Sequence, residues 1–252
     1  MIAVMPEGTD LSFDIALLGA QIILEHRIAI YGNTLNQLKF RVNGLFSPSF
    51  MESQVDAELR MLALTVGGAA GYRDTFRNQT YQPGEELSID HRLSRDVGSD
   101  VTNEAWPFFE GRATISLPFN DWVVFNSVNR LRHEERPTAS FDWRLGVVHD
   151  QQYFASENML LLKNRDLGGI GPMVQILRFE RAETPLTQFN FGAVFTSRVG
   201  LRRHNDLFFI QVLFNTGWPG TDATQTYGLH LLTVPMMITV AYRVVLPVWR
   251  PD

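Results

Sequence analysis

Arginine is the residue type in this sequence with the clearest capacity for chemistry. The 252 residues include 22 Lys and Arg together, and only Lys39 and Lys163 are lysines, so by subtraction 20 are arginines. Eight of them occupy polar positions in segments where polar and apolar residues alternate: Arg41, Arg60, Arg112, Arg130, Arg132, Arg144, Arg178 and Arg243. Guanidinium groups around a water-filled interior would make it attractive to anions, because rings of charge set the selectivity of a passage. In the alternative interpretation they pair with acids and fill the interior, the candidate acids being Asp14, Glu58, Glu110, Asp142 and Glu180.

Residues for covalent or metal catalysis do not form a recognisable motif. The chain has no cysteine, which excludes a thiol nucleophile and cysteine-ligated metals. Its six histidines are scattered, and neither HExxH nor GxSxG spacing occurs. No histidine precedes a serine by two residues on one strand face, the pattern of lipid-hydrolysing barrels. We therefore predict no metal, no cofactor and no catalytic residue, and expect a protein that is not an enzyme.

Composition narrows the class of partner and the number of domains. The formal net charge is -5 and lysines do not cluster, so we expect no nucleic-acid partner. No apolar run reaches the roughly 18 residues of a membrane-spanning helix. No linker rich in Pro, Gly or Ser divides the chain, and we predict a single domain over 1–252.

The elements that would position the arginines are strands with one apolar and one polar face. Between Ile238 and Val248 every second residue is apolar, and the intervening positions include Arg243. The same alternation occurs over 37–46 and 139–147. Side chains on a strand point alternately to opposite faces, so this pattern predicts an apolar exterior and a charged interior, which is typical of a transmembrane β-barrel. A soluble β-sandwich shows the same alternation and remains the alternative.

We predict an all-β fold of about twelve antiparallel strands, with ten as the alternative, and count Thr9–Tyr31 as the first strand. The clearest hairpin joins Phe109–Phe119 to Trp122–Arg132. Residues 55–66 fit either a helix or a strand, and 226–249 is one long strand or two strands separated near Pro235. Residues 77–106 lack periodicity and are rich in acids, so we expect one long extracellular loop there.

Aromatic residues fall near predicted strand ends or on the apolar face. Five of them are predicted to anchor the barrel at the membrane interfaces: Trp106, Trp122, Trp143, Tyr242 and Trp249. In a sandwich the same residues would belong to the core.

Taken together, the alternation, the long acidic loop, the aromatic positions and the near-terminal Trp249 resemble bacterial outer-membrane β-barrels as a general class. Arg250-Pro251-Asp252 departs from that class, whose last residue is usually aromatic. The resemblance implies residence in the bacterial outer membrane, contact with the lipid bilayer, and association with other envelope proteins or with further copies of the chain. Met1–Thr9 is not a secretory signal peptide, so we expect the signal to have been removed; the alternative is a protein that stays in the cytoplasm.

The function implied by the resemblance is a passive pore or small-solute channel with an arginine-lined, anion-favouring lumen. Within the same class, the alternative is a plugged structural barrel that acts as a partner in an envelope complex. A soluble β-sandwich that forms shells or binds carbohydrate is the alternative from a different class. A barrel enzyme acting on lipids is disfavoured by the missing His–Ser pair.

Overall fold

The computed structural model describes residues 7–16, 19–30, 33–47, 50–79, 101–136, 140–142, 147–149, 151–164, 168–180, 186–197, 207–215 and 236–250. Over these ranges it is a closed antiparallel barrel of twelve strands, with a separate two-stranded sheet. The predictions of an all-β architecture and of about twelve strands are confirmed. No helix in the described ranges is long and apolar enough to cross a membrane.

The barrel strands are β1 (Gly8–Ala16), β2 (Gly19–Ile30), β3 (Asn33–Phe46), β4 (Phe50–Met61), β5 (Leu64–Gln79), β6 (Val101–Pro118), β7 (Val123–Glu134), β10 (Gln152–Asn164), β11 (Gly168–Phe179), β12 (Leu186–Ser197), β13 (Leu207–Asn215) and β14 (Met236–Trp249). Strands β8 (Ser140–Asp142) and β9 (Val147–His149) form the small sheet. Each barrel strand pairs with the next along the chain, and β1 pairs with β14 to close the barrel. An even strand number returns both ends of the barrel to the same side, called here the terminal end.

Alternation along the strands gives the barrel two different surfaces. Ile22, Val42 and Val55 are exposed on the outer face, whereas Arg27 and Glu52 are almost completely buried on the inner face. A globular protein in water would bury the first group and expose the second. The exterior is therefore that of a transmembrane β-barrel, in which lipid solvates the outward side chains.

The number of barrel strands agrees with the sequence prediction, but the segments that form those strands differ. The stretch Thr9–Tyr31, counted from sequence as one strand, contains β1 and β2. Residues 55–66 belong to strands β4 and β5, separated by a two-residue turn, rather than to a helix. In contrast, 139–149 supplies no barrel strand, because β8 and β9 pair only with each other. Residues 226–235 lie outside the described ranges, and β14 begins directly after them.

The predicted long loop is shorter at both ends than expected. Strand β5 continues to Gln79 and β6 begins at Val101, so several residues of 77–106 are part of the barrel wall. The remainder, 80–100, lies outside the described residues. The connection still joins β5 to β6 at the end opposite the termini, where we expect the extracellular side of such barrels.

Strand β5 makes room inside the barrel because its inner face carries only small residues in its middle. A Cβ atom added to Gly71 would lie 2.4 Å from Cζ of Phe108 and 2.4 Å from the carbonyl oxygen of Ser53. At Gly67 it would lie 2.6 Å from Cγ of Glu58. The glycines therefore permit large side chains from β4 and β6 to pack across β5.

Candidate functional site

A continuous network of ion pairs follows the inner face of strands β1 to β7. Its members alternate in charge along the order Arg250, Asp10, Arg27, Glu25, Arg41, Glu58, Arg112, Glu110, Arg132, Glu134 and Arg136. The longest links, Glu25 to Arg41 and Glu110 to Arg132, measure 3.9 Å between nitrogen and oxygen. This interior ion-pair network links the terminal end of the barrel to the opposite end.

Strand register explains why the charges meet. Glu25 of β2 lies opposite Arg41 of β3, and Arg41 lies opposite Asp56 of β4. Cross-strand neighbours on one face have Cβ atoms about 5 Å apart, so opposite charges in register form pairs. The alternation that faces lipid on one side therefore brings acid and base together on the other.

The network begins where the first and last strands meet. Arg27 contacts Asp10, and its second nitrogen lies 2.5 Å from Glu25. Arg250, which follows the last strand, contacts Asp10 and donates a hydrogen bond of 3.2 Å to the carbonyl oxygen of Thr9. These contacts hold Arg250 against the first strand.

Partly exposed arginines occupy the middle of the network. Nε of Arg41 donates to Asp56 at 2.6 Å, and Arg41 also contacts Glu58. Arg112 donates to Glu58 at 2.9 Å and to Glu110 at 2.6 Å. The side chains of Arg41 and Arg112 are 19% and 21% exposed, so water reaches this part of the interior.

Beyond the middle, the network enters a buried cluster at the end opposite the termini. Arg132 donates to both oxygens of Glu52, at 3.0 and 2.9 Å, and Arg73 donates to the same carboxylate at 2.8 Å. Nε of Arg132 lies 2.6 Å from Glu134, but its N–H is not aimed at that oxygen, so the contact is electrostatic. Arg136 donates to Glu134 at 2.5 Å. Each of these five side chains is at most 3% exposed.

Aromatic rings complete this buried cluster. The guanidinium carbon of Arg132 lies 3.5 Å from the ring centre of Phe108, and that of Arg136 lies 5.0 Å from Trp106. The indole nitrogen of Trp106 donates to Glu134 at 3.0 Å. Charged pairs in such a buried setting hold their positions because separating any one of them would remove part of the compensation of a buried charge.

The wall formed by β10 to β13 has a different character. Its inner face carries amides that bond to one another: Gln188 donates to Asn190 at 2.7 Å, and Asn190 donates to Gln175 at 2.8 Å. Apolar side chains lie beside them, in one cluster built around Leu177 and Phe179. Charge is therefore concentrated on one side of the interior.

Two further arginines face the interior from near this wall and are the most accessible of the inner-face arginines with a stated exposure. Arg130 is 37% exposed and lies 3.8 Å from Glu157. Arg243 is 42% exposed and donates two hydrogen bonds of 2.6 Å to Asp14. Each has a carboxylate partner, so neither is an isolated positive charge.

The structure brings most of the predicted pore-lining residues to the inner face. These are Arg41, Arg60, Arg112, Arg130, Arg132 and Arg243. Arg178 lies on the outer face instead, because it alternates with the inward-facing Leu177 and Phe179. Arg144 lies outside the described residues. Of the acids proposed as partners, Asp14, Glu58 and Glu110 form ion pairs with these arginines.

The aromatic residues predicted to lie at the membrane interfaces occupy different places in the structure. Trp122, 72% exposed, follows β6 at the terminal end, and Trp249, 49% exposed, ends β14 at the same end. Tyr242 pairs with Ile15 on the outer face in the middle of β14. Trp106 faces the interior and is buried, so its side chain does not contact lipid. Trp143 lies outside the described residues.

Sequence reasoning selected Arg132 but missed four other members of the buried cluster. These are Glu52, Arg73, Glu134 and Arg136, which lie outside the segments with the clearest alternation. A usable signal existed on β4, where Glu52, Asp56 and Glu58 share one phase opposite Val55. The uncertainty between helix and strand over 55–66 concealed that phase.

A hydroxyl and an imidazole meet on the outer face near the terminal end. Thr9 Oγ1 and Nδ1 of His26 are 2.9 Å apart across β1 and β2. The ring of His26 lies 6.0 Å from that of Trp249, an indole that cannot orient an imidazole as a carboxylate does. In the described residues, no group of three or more His, Asp or Glu is arranged to hold a metal ion.

Comparison with known proteins identifies only distant structural similarity. No protein-family model matches the chain, and no curated protein matches it. Among solved structures, the chain is similar to a "KdgM porin" at 9% identity and a TM-score of 0.39, covering 93% of this chain and 96% of that one. It is also similar to LpxR from Salmonella typhimurium at 8% identity and a TM-score of 0.45, covering 94% and 99% respectively.

The expectation that the protein is not an enzyme requires correction. LpxR is an outer-membrane enzyme with a barrel fold. The sequence prediction rested on missing motifs within single strands, and such motifs do not detect residues that meet only across strands, as Thr9 and His26 do. The barrel architecture therefore does not exclude catalysis.

Proposed function

We propose that the protein is a narrow passive channel for small solutes in the bacterial outer membrane. The observation that carries the proposal is the partial exposure of arginines inside a barrel whose exterior is apolar. Arg41, Arg112, Arg130 and Arg243 remain accessible to water on the inner face. Ions and small polar solutes can use such a surface in place of their hydration water.

The preference for anions that the arginines suggest is weak in this proposal. Each of the accessible arginines lies beside a carboxylate, which cancels most of its field at a distance. Arg130 and Arg243 are the strongest candidates for contact with a permeating anion, because they are the most exposed of these four. A unit charge about 8 Å from an ion contributes roughly 0.5 kcal/mol at the dielectric constant of water, or a factor of about two in permeability.

The buried cluster around Arg132 would be the constriction of this channel. Its carboxylates Glu52 and Glu134, together with the neighbouring Glu110, balance the charges of Arg73, Arg132 and Arg136. Passage would therefore be limited at the end opposite the termini, and we expect a low conductance.

A closed structural barrel is the second candidate, and the same cluster favours it. Arg132 and Glu134 have no exposed side-chain surface, as in a packed core rather than in an open pore. In that case the ion pairs serve stability, and the barrel acts through its outer surface or its loops.

Single-channel recording separates the two candidates. Protein that shifts on a gel between unboiled and boiled samples, and is therefore folded, is inserted into planar bilayers under a KCl gradient. A channel is expected to give discrete small steps, and Arg130→Gln or Arg243→Gln is expected to move selectivity toward cations by a factor of about two. Arg178→Gln, on the outer face, is the matched control and leaves selectivity unchanged.

Silent bilayers from folded protein would overturn the channel proposal and leave the closed barrel. Steps whose selectivity responds equally to Arg178→Gln and Arg243→Gln would contradict the assignment of these arginines to the passage.

A further inference from the structure

A polar patch interrupts the apolar exterior of the barrel on β7 and β10. It consists of Ser127 and Asn129 on β7 with Ser156 and Asn158 on β10, and is called here the outer polar patch. These residues alternate with side chains that face the interior, such as Arg130 and Glu157, so they point outward. Serine and asparagine are unusual choices for a surface that contacts lipid.

The two strands carry the same short pattern, Ser-x-Asn, and run antiparallel. Ser127 lies opposite Asn158, and Asn129 lies opposite Ser156. Asn129 donates to Ser127 at 3.1 Å, and Asn158 donates to Ser156 at 3.0 Å. The patch is therefore a compact array with approximate local two-fold symmetry. The serines are 8% and 7% exposed, so the amides form its surface.

The outer polar patch lies in the middle of its strands rather than at a membrane interface. Along β7 the next outward residues are Phe125 on one side and Leu131 on the other, and Leu131 is 49% exposed. On β10 the corresponding neighbours are Phe154 and Leu160, and Leu160 is 40% exposed. Apolar residues on both sides place the amides at the depth of the lipid chains, where no water is present to bond them.

Small residues beside the patch form a shallow surface. Ala113 of β6 lies opposite Asn129, and Gly111 faces outward two residues away. A Cβ atom added to Gly111 would meet no atom within 4 Å, so the space outside it is open. Small residues next to polar ones allow another protein wall to approach closely enough for hydrogen bonds within the membrane.

We propose that the outer polar patch is the contact surface of a symmetric dimer of this protein in the membrane. An asparagine amide and a serine hydroxyl each contain both a donor and an acceptor, so a second copy of the same patch offers a partner to each of them. Contact between identical patches is the geometry of a two-fold dimer. Lipid chains offer no such partner, and lipid headgroups lie at the interfaces rather than at mid-strand.

The Asn129 and Asn158 amides are suited to further bonds. In the described part of the chain, each makes one side-chain hydrogen bond, through a single N–H. An amide has a second N–H and a carbonyl oxygen with two lone pairs. A dimer would use these groups, which otherwise face hydrocarbon at a cost in free energy.

Disulfide trapping in the membrane tests the contact directly, because the chain contains no cysteine of its own. Ala113→Cys, beside the patch, is expected to form a disulfide-linked dimer upon mild oxidation in lipid vesicles. Ala193→Cys, on the outer face of β12, is the matched control and is expected to form at least about tenfold less. Equal cross-linking at the two positions would indicate random collisions and would overturn the proposal.

A second variant tests the role of the amides. Asn129→Leu combined with Asn158→Leu is expected to lower the dimer association constant by about tenfold or more, since hydrogen bonds between membrane segments contribute about 1–2 kcal/mol in model peptides. Leucine suits lipid, so the variant is expected to keep its gel shift between unboiled and boiled samples. Thr187→Leu, on the outer face of β12, is the polar-to-apolar control.

Energy transfer between labelled copies in vesicles measures the association. A monomeric wild type, or an association constant that the double variant leaves unchanged, would overturn the dimer. Both measurements are independent of conductance, so the proposal can fail or hold whether or not the barrel conducts.

Discussion

Replacing Arg132 by methionine should destabilise the barrel strongly, because it removes one of the cations that the buried carboxylates Glu52 and Glu134 share. Arg132 donates hydrogen bonds of 3.0 and 2.9 Å to Glu52 and lies 2.6 Å from Glu134, with all three side chains at most 3% exposed. Breaking a buried pair by removing one partner costs about 3–5 kcal/mol. Glu52 retains Arg73 at 2.8 Å, so we expect a loss near the lower limit, about 3 kcal/mol.

Urea unfolding in lipid vesicles, followed by tryptophan fluorescence, measures this loss. The double variant Arg132→Met with Glu52→Gln should be more stable than the sum of the two single effects predicts, by about 1–3 kcal/mol, since residues in direct contact do not act additively. Arg178→Met, an outer-face change near the end of β11, should alter stability by about 1 kcal/mol or less. A loss below about 1 kcal/mol for Arg132→Met, or additivity in the cycle, would refute the assignment of a tightly coupled buried cluster.

Three other predictions follow from single positions. Gly71→Val should destabilise the barrel by about 1–3 kcal/mol through overpacking, whereas Gly111→Val, on the open outer face, should not. Urea unfolding of the two variants compares these losses, and equal losses would contradict the packing argument. Leu62→Asn should stabilise the protein by about 0.5–1 kcal/mol, because Leu62 has a φ of 53°, which asparagine tolerates better than leucine. An unchanged midpoint of urea unfolding would count against backbone strain at this turn. If the barrel conducts, Asp14→Asn should increase anion selectivity, since it removes the carboxylate paired with Arg243. Reversal potentials measure the shift, and a shift toward cations would contradict the placement of this pair along the conducting path.

The alternation of side chains made the barrel predictable from sequence. The phase read at 37–43 placed Phe40 and Val42 outside and Arg41 inside, as the structure has them. The same rule failed to divide Thr9–Tyr31 into two strands, because the two residues between β1 and β2 are both leucine and give no sequence signal for the end of a strand. It also counted 139–149 as a wall strand, since alternation describes any half-exposed strand and does not say which sheet it joins.

The presence of charged side chains inside the barrel was predictable from sequence, but the pairs that they form were not. Sequence identified Arg41, Arg112 and Arg132 as inward-facing, yet the link from Arg112 to Glu58 crosses two strand boundaries and depends on register. A shift of one residue in pairing would move each side chain to the other face. Trp106 was assigned to the membrane interface because the strand was predicted to begin only at Phe109, so its phase, which was correct from there on, was not extended back to residue 106.

The interior ion-pair network also constrains how the protein can enter a membrane. A partly inserted sheet made of β1 to β7 alone would expose Arg41, Glu58, Arg112 and Glu110 to hydrocarbon before the opposite wall arrived to cover them. Placing such charges at the bilayer midplane costs about 2–4 kcal/mol for each arginine. Insertion and circular closure must therefore occur together, and the contact of Arg250 with Asp10 completes only when the last strand meets the first.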